Sequence, residues 1–145
     1  MAKYAQGPFQ LQHPEKYVGK GIPRFRSSWE FAVMQMCDNH PGIVNWASEA
    51  LHINYRNPFT GKNTIYVPDF FVMFVNSNGA THGEIWEVKP LKETSLQEAG
   101  KSPRAQAAAI LNHYKWTAAM AYCKSQNLQF RILTEHDIFH MGGKK

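Results

Sequence analysis

Residues 66–90, YVPDFFVMFVNSNGATHGEIWEVKP, decide how this chain is read. FFVMFV (70–75) and EIWEV (84–88) are short and rich in aromatic and β-branched residues, which favours strands over helices. Asn76-Ser77-Asn78-Gly79 between them is turn chemistry, so the segment reads as an antiparallel hairpin. A turn centred on Asn78 places Asp69 directly opposite Glu87. Side-chain alternation then puts Lys89 on the same face as Glu87. A one-residue slip would send Asp69 and Glu87 to opposite faces, so the trio depends on that register.

Charged residues seldom enter core strands without a reason. Two carboxylates held close repel each other, which disfavours the fully ionised pair. A divalent cation relieves that repulsion, and carboxylates with a backbone carbonyl and waters are the ligand set of Mg²⁺. A neighbouring lysine adds a group that orients water or meets a phosphate. Together these point to metal-assisted phosphodiester hydrolysis. The plainer alternative is a cross-strand ion-pair cluster on a wet face, but the neighbouring text is too apolar for that.

Pro68-Asp69 followed by Glu87-Val88-Lys89 resembles the PD-(D/E)xK nuclease superfamily. The resemblance implies that Asp69 and Glu87 hold the metal, that the Val88 carbonyl adds a ligand, and that Lys89 serves the attacking water. It also implies Mg²⁺, or Mn²⁺ in its place, as cofactor and DNA as partner. In several branches of the superfamily a glutamate from the first helix joins the site.

The chain has 145 residues, 43% hydrophobic and 19% charged, which suits one globular domain with a real core. Its net charge of +5 is compatible with a polyanionic partner and serves solubility equally. Cys37 and Cys123 form no CxxC pair, so neither a disulfide framework nor a zinc knuckle is expected, and reduced thiols fit better. The first ten residues lack an apolar signal core, and no run of 18 apolar residues exists, so no membrane span is expected.

Residues 1–26 mix Gly and Pro with Tyr4, Phe9, Tyr17 and Phe25. They read as an extended arm preceding a single domain over 27–145. The arm either docks on a partner or DNA, or packs on its own domain; Lys16, Lys20, Arg24 and Arg26 make it basic. Ser27-x-x-Glu30 is a capping box opening a helix to about residue 40, with Trp29, Ala32, Val33, Met36 and Cys37 as its apolar stripe. Glu30 is therefore a cap, a site acid, or both. Residues 43–55 read as a short turn and then a strand from about Glu49, with Trp46 in the core; Glu49 reads as an edge charge rather than a ligand. The loop 56–63 carries Arg56 and Lys62, which either meet a nucleic-acid backbone or solvate a hairpin tip. Together with the 66–90 hairpin this predicts three consecutive antiparallel strands.

Residues 91–102 read as a polar connection. Ser102-Pro103 then starts an Ala-rich helix to about Gln126, with Ile110, Tyr114, Thr117 and Ala121 as its packed stripe. Asn112 lies on this helix, as does Lys115, which is either a surface charge or an amine aimed over the hairpin at a phosphate. His113 reads as a surface or satisfied core histidine. Residues 129–134 form a fourth strand and 135–141 a short helix, where the His136/His140 pair is taken as chance; 142–145 form a flexible end.

Over nearly the whole length the chain is similar to the head completion nucleases of T-even-type tailed phages. The matching pieces are EKYVGK (15–20), RSSWE (26–30), NWASEALHINY (45–55), the PDF and EIWEVKP segments, KW (115–116) and QFRILTE (129–135). That resemblance implies nuclease positions at Glu30, Asp69, Glu87 and Lys89, with DNA contacts expected from Arg26, Arg56, Lys62, Asn112 and Lys115. It implies a protein that trims packaged DNA ends, completes the head at the portal or neck through the arm, or does both. Its expected location is the head–tail junction of the virion, or the host cytoplasm during assembly. The expected architecture is α/β: a PD-(D/E)xK nuclease-like mixed sheet with the first helix on one face and the 102–126 helix on the other. Two other functions stay open: a structural neck protein on a nuclease fold, and a recombination nuclease such as a junction resolvase or transposase cleavage subunit.

Overall fold

The computed structural model describes residues 6–140. The tail at 142–145, expected to be flexible, lies outside them, as does the side chain of His140. In chain order the elements are β1 (Gly7–Pro8), β2 (Arg24–Phe25), α1 (Ser28–Asn39), β3 (Ile43–Ser48), β4 (Ile53–Arg56), β5 (Asn63–Tyr66), β6 (Phe70–Val75), β7 (Thr81–Val88), α2 (Leu96–Ala99), α3 (Pro103–Ser125), β8 (Leu128–Leu133) and α4 (Glu135–His140). The central sheet has the order β3-β6-β7-β8, antiparallel except for the parallel β7–β8 pair.

The hairpin has the expected register. Phe70 pairs with Trp86, Phe71 with Ile85 and Val75 with Thr81, which brings Asp69 opposite Glu87 one step further on. Its turn is closed by Asn76, whose Oδ1 accepts the N–H groups of Asn78 (2.9 Å) and Ala80 (3.0 Å). Gly79 there has φ 83°, a conformation glycine adopts at little cost.

Two expectations about the preceding strands fail. The stretch expected as a turn, Ile43–Ser48, is edge strand β3; Glu49 turns the chain at φ 52°, and the strand expected from about Glu49 begins only at Ile53, as β4. A register shift between Ile43 and Asn45 buries both Ile43 and Trp46, so the period-two pattern is hidden in the sequence. The three consecutive strands are also not one sheet. β4 and β5 form their own two-stranded hairpin, inserted between β3 and β6.

Each face of the central sheet has its own core. On one face Phe70, Val72, Trp86 and Leu133 pack with Val33, Met34 and Cys37 of α1 and Ile138 of α4. On the other, Trp116 and Ala119 of α3 meet Ile53, Tyr66, Phe130 and Ile132. Helices thus cover both faces, as the apolar text on both sides of the hairpin requires. Ser27 caps α1 by accepting the Glu30 N–H at 3.1 Å, and Glu30 reaches back to the Arg26 N–H at 2.8 Å.

The packed stripe of α3 differs from expectation. Ala105, Ala109, Asn112, Trp116, Ala119 and Cys123 are buried, whereas Tyr114, Thr117 and Ala121 are exposed. Both stripes have helical period; small alanines at 105, 109 and 119 let the helix approach closely, and that decides the matter. The 91–102 connection also has structure, a 3₁₀ turn at Leu91–Glu93 followed by α2, capped by Ser95. Both cysteines are free and buried, and burial pushes the Cys123 thiol up to about 11. No helix among the described residues is long and apolar enough to cross a membrane.

Residues 6–26 lie along the domain. Phe9 is buried against Phe31 and Trp46, and the Tyr17 ring meets Trp46 edge-on at 4.7 Å. The segment is tied down by Asp38, fully buried on α1, which accepts the N–H groups of Gln12 (2.8 Å) and His13 (3.1 Å). Replacing Asp38 by Ala leaves those two donors without their charged acceptor, at a cost of about 2–3 kcal/mol. Urea unfolding should show that loss, and amide exchange should show faster opening at Gln12 and His13. Unchanged exchange there would mean that the arm's other contacts, the Lys16 and Val18 hydrogen bonds and the aromatic packing, hold it without the Asp38 carboxylate.

Candidate active site

The site forms where β6 begins and β7 ends. Asp69 follows buried Pro68 and hooks its Oδ2 onto the Val88 N–H at 2.7 Å. In return the Asp69 N–H donates to Glu87 Oε1 at 3.3 Å. Each acid is therefore held by the other strand's backbone, and the two are locked face to face. Lys89 Nζ stands 3.8 Å from Glu87 Oε2. Asp69, Glu87 and Lys89 thus come together on the α3 side of the sheet, as the hairpin register requires.

The electrostatics of the pair are unrelieved. Burial, then the Glu87 charge, raise the Asp69 carboxyl well above the ordinary range, against the pull of the Val88 N–H and Lys89. Burial also raises Glu87, despite Lys89. Glu84, three residues earlier on the opposite face, provides the contrast. It is equally buried, yet it accepts from Trp86 Nε1 at 2.7 Å and lies 3.0 Å from His82 Nε2 and 3.5 Å from Arg131. One strand therefore carries one satisfied acid and one that a cation would satisfy.

Further groups close the site. Lys115 of α3 lies over the Tyr66 ring, 5.6 Å from its centroid, and interacts with Lys89, Glu87 and Asp69; burial, then Lys89, lower its pKa. Tyr66 ends β5 with its hydroxyl buried beside Glu87, and burial followed by the Glu87 charge raises its pKa far above the usual phenol range. The Tyr66 hydroxyl and Trp116 Nε1 are buried without hydrogen-bond partners. Sequence reading passed over Tyr66, because an aromatic at a strand end is indistinguishable from core.

The other expected site residues are placed differently. Glu30 keeps its cap contact with Arg26, and its charge adds to the rise at Asp69, so cap and site proximity coexist. Arg26, expected at DNA, is instead paired with Glu49 through both guanidinium nitrogens. The Glu49 N–H also donates to the Asp69 carbonyl at 2.9 Å, so its left-handed turn braces the site strand. Asn112, also expected at DNA, is buried, and its Nδ2 donates to the Glu93 carbonyl at 3.0 Å. It anchors the turn just after Lys89 and has no open path to a polymer. Arg56 and Lys62 are exposed near the tip of the β4–β5 hairpin.

The donor set suits a hard divalent cation: two adjacent carboxylates with raised proton affinity, beside the end of β7 where Val88 offers backbone. Among the described residues no group of three or more His, Cys, Asp or Glu gathers with metal-holding geometry, so backbone and water would complete the shell.

The pH dependence follows in sign. Both carboxyls have folded-state pKa values above their unfolded ones, so the folded state retains protons that the unfolded chain has released. Without divalent metal, stability should fall as pH rises from the ordinary carboxylate range through the raised values. Thermal melts in EDTA between pH 5 and 8 should show this decline. Asp69→Asn should flatten it and raise Tm at pH 8; a variant no more stable than wild type at pH 8 would contradict the repulsion.

Residues 40–135 match the family model described as TnsA-like endonuclease N terminal, about two thirds of the chain. The chain is also 30% identical over 150 aligned residues to the head completion nuclease of Enterobacteria phage T4, an alignment that covers 88% of this chain and 97% of that protein. The mixed sheet with helices on both faces is the fold that the endonuclease match implies. The chain belongs to the TnsA-like endonuclease family and to the head completion nucleases, on the PD-(D/E)xK nuclease fold.

Proposed function

We propose that this protein is a divalent-metal-dependent DNA endonuclease that processes DNA ends during phage head completion. The observation that carries the reading is the Asp69–Glu87 pair, each acid held by the opposite strand's backbone, with Lys89 alongside. In this reading Asp69, Glu87 and the Val88 carbonyl hold Mg²⁺ or Mn²⁺. When bound, the cation supplies positive charge to the phosphate oxygens and acidity to the attacking water. Lys89 orients that water. Lys115 meets the phosphate from the α3 side, and Glu30 adds negative charge that favours the cation. Water oxygen bonds to phosphorus, one ester P–O bond breaks, and a phosphate monoester and a free hydroxyl result.

The head-completion setting is supported by the T4 relative, whose alignment extends beyond the matched endonuclease segment. Phe9, Tyr17 and Phe25 of the arm are used internally, while Val18 and Ile22 stay exposed. Those two residues are the arm's contribution to a portal or neck partner at the head–tail junction. The TnsA-like match favours one other reading, a recombination nuclease, which would prefer branched DNA or transposon ends over simple duplex.

Digestion of plasmid and linear DNA tests the activity. Wild type should cleave with Mg²⁺ or Mn²⁺ and not with EDTA. Asp69→Ala and Lys89→Ala should each lose about a thousandfold or more in rate while remaining folded by circular dichroism. Full cleavage by either variant would remove the mechanism, and no cleavage by wild type with either metal would favour a structural neck protein. Removing Arg56 and Lys62 together should weaken DNA binding without regard to sequence and lower the salt slope by about two. An unchanged slope would take the hairpin off the DNA path.

A further inference from the structure

The β4–β5 hairpin starts and ends beside the carboxylate pair and points away from it. Ile53 and Tyr66 pair at its base, Tyr66 lies against Glu87, and Arg56 pairs with Asn63 at the far end. The tip is braced by its own hydrogen bonds. Asn57 Oδ1 accepts the N–H groups of Phe59 (2.8 Å) and Thr60 (3.2 Å). The Asn57 backbone also bonds to Lys62 (2.9 Å) and Gly61 (2.8 Å), with Gly61 at φ 73°. This turn leaves the Phe59 ring 58% exposed and outside both core clusters, and Arg56 and Lys62, which flank it in sequence, are exposed as well.

A braced turn that carries an exposed aromatic ring, with an exposed cation on each of its two arms, fits a flat apolar ligand accompanied by negative charge. A nucleobase with its neighbouring phosphates is such a ligand. Inside a duplex the base faces are covered by their neighbours and a wedge between them costs unstacking energy, so an unpaired base offers its face to the ring at the least cost. The strand portion of the hairpin spans about 10 Å. That places the ring a few nucleotides of strand from the carboxylate pair.

We infer that Phe59 stacks on an unpaired base a few nucleotides from the scissile phosphate, with Arg56 and Lys62 on neighbouring phosphates. The preferred substrate is then DNA with a single-stranded end rather than blunt duplex. This rests on the nuclease reading for the position of the cut and adds the form of the substrate.

The test uses the full chain, without divalent metal, and duplexes that are blunt or carry a short single-stranded overhang with 2-aminopurine at successive positions. Wild type should bind the overhang DNA more tightly and quench one 2-aminopurine position. Phe59→Ala and Phe59→Leu should lose about tenfold in affinity for overhang DNA, lose the quenching, and bind blunt duplex as wild type does. Phe59→Trp should retain both properties, and Tm should not move in any of the three. Wild-type behaviour by Phe59→Leu, or equal losses on both DNAs, would overturn the stacking. If wild type fails to cleave yet discriminates overhangs through Phe59, the inference stands and the nuclease reading falls; if it cleaves and Phe59 changes nothing, the inference alone falls.

Discussion

Two carboxyl groups are held opposite each other on an antiparallel strand pair, where burial makes it costly for both to carry charge. The register places Asp69 opposite Glu87, and each carboxylate is committed to the other strand's backbone N–H. Neither can swing away without giving up a charge-assisted hydrogen bond. The resulting repulsion and desolvation are a standing cost to the fold. Such a cost marks a candidate functional site, and it is absent at Glu84, whose partners satisfy it on the other face of the same strand.

The remaining elements hold that pair in place. The far face of the sheet is sealed by α1, α4 and the arm around Trp46, Trp86 and Leu133. On the near face α3 packs through small residues and brings Lys115 across the site. Asn112 pins the turn after Lys89, and Glu49 braces the strand before Phe70. The inserted β4–β5 hairpin begins at Ile53 and returns at Tyr66, so a surface projection is coupled directly to the wall of the site.

Much of this was legible from local chemistry. A turn of Asn and Gly between two apolar runs sets a hairpin register, and register alone decides which charges meet. The Ser27 and Ser102 caps, the Pro103 start and the strand at 128–133 likewise depend on nearest neighbours. Errors arose where two answers share one local signal. The bulge in β3 disguised a strand, the two stripes of α3 have the same period, and a buried Asn112 looks in sequence like an exposed one. Arg26 read as a free cation because its partner Glu49 is distant in sequence.

By itself, then, the amino-acid order determined the strand pairing that brings two acids and a lysine together, since one short turn fixes the register along the whole of both strands. Which face of α3 packs, which cations stay free, where the arm lies and what Tyr66 touches depend on contacts between distant segments. Only the assembled chain decides those, because the competing arrangements are nearly equal locally and differ in the area and charge they bury against one another.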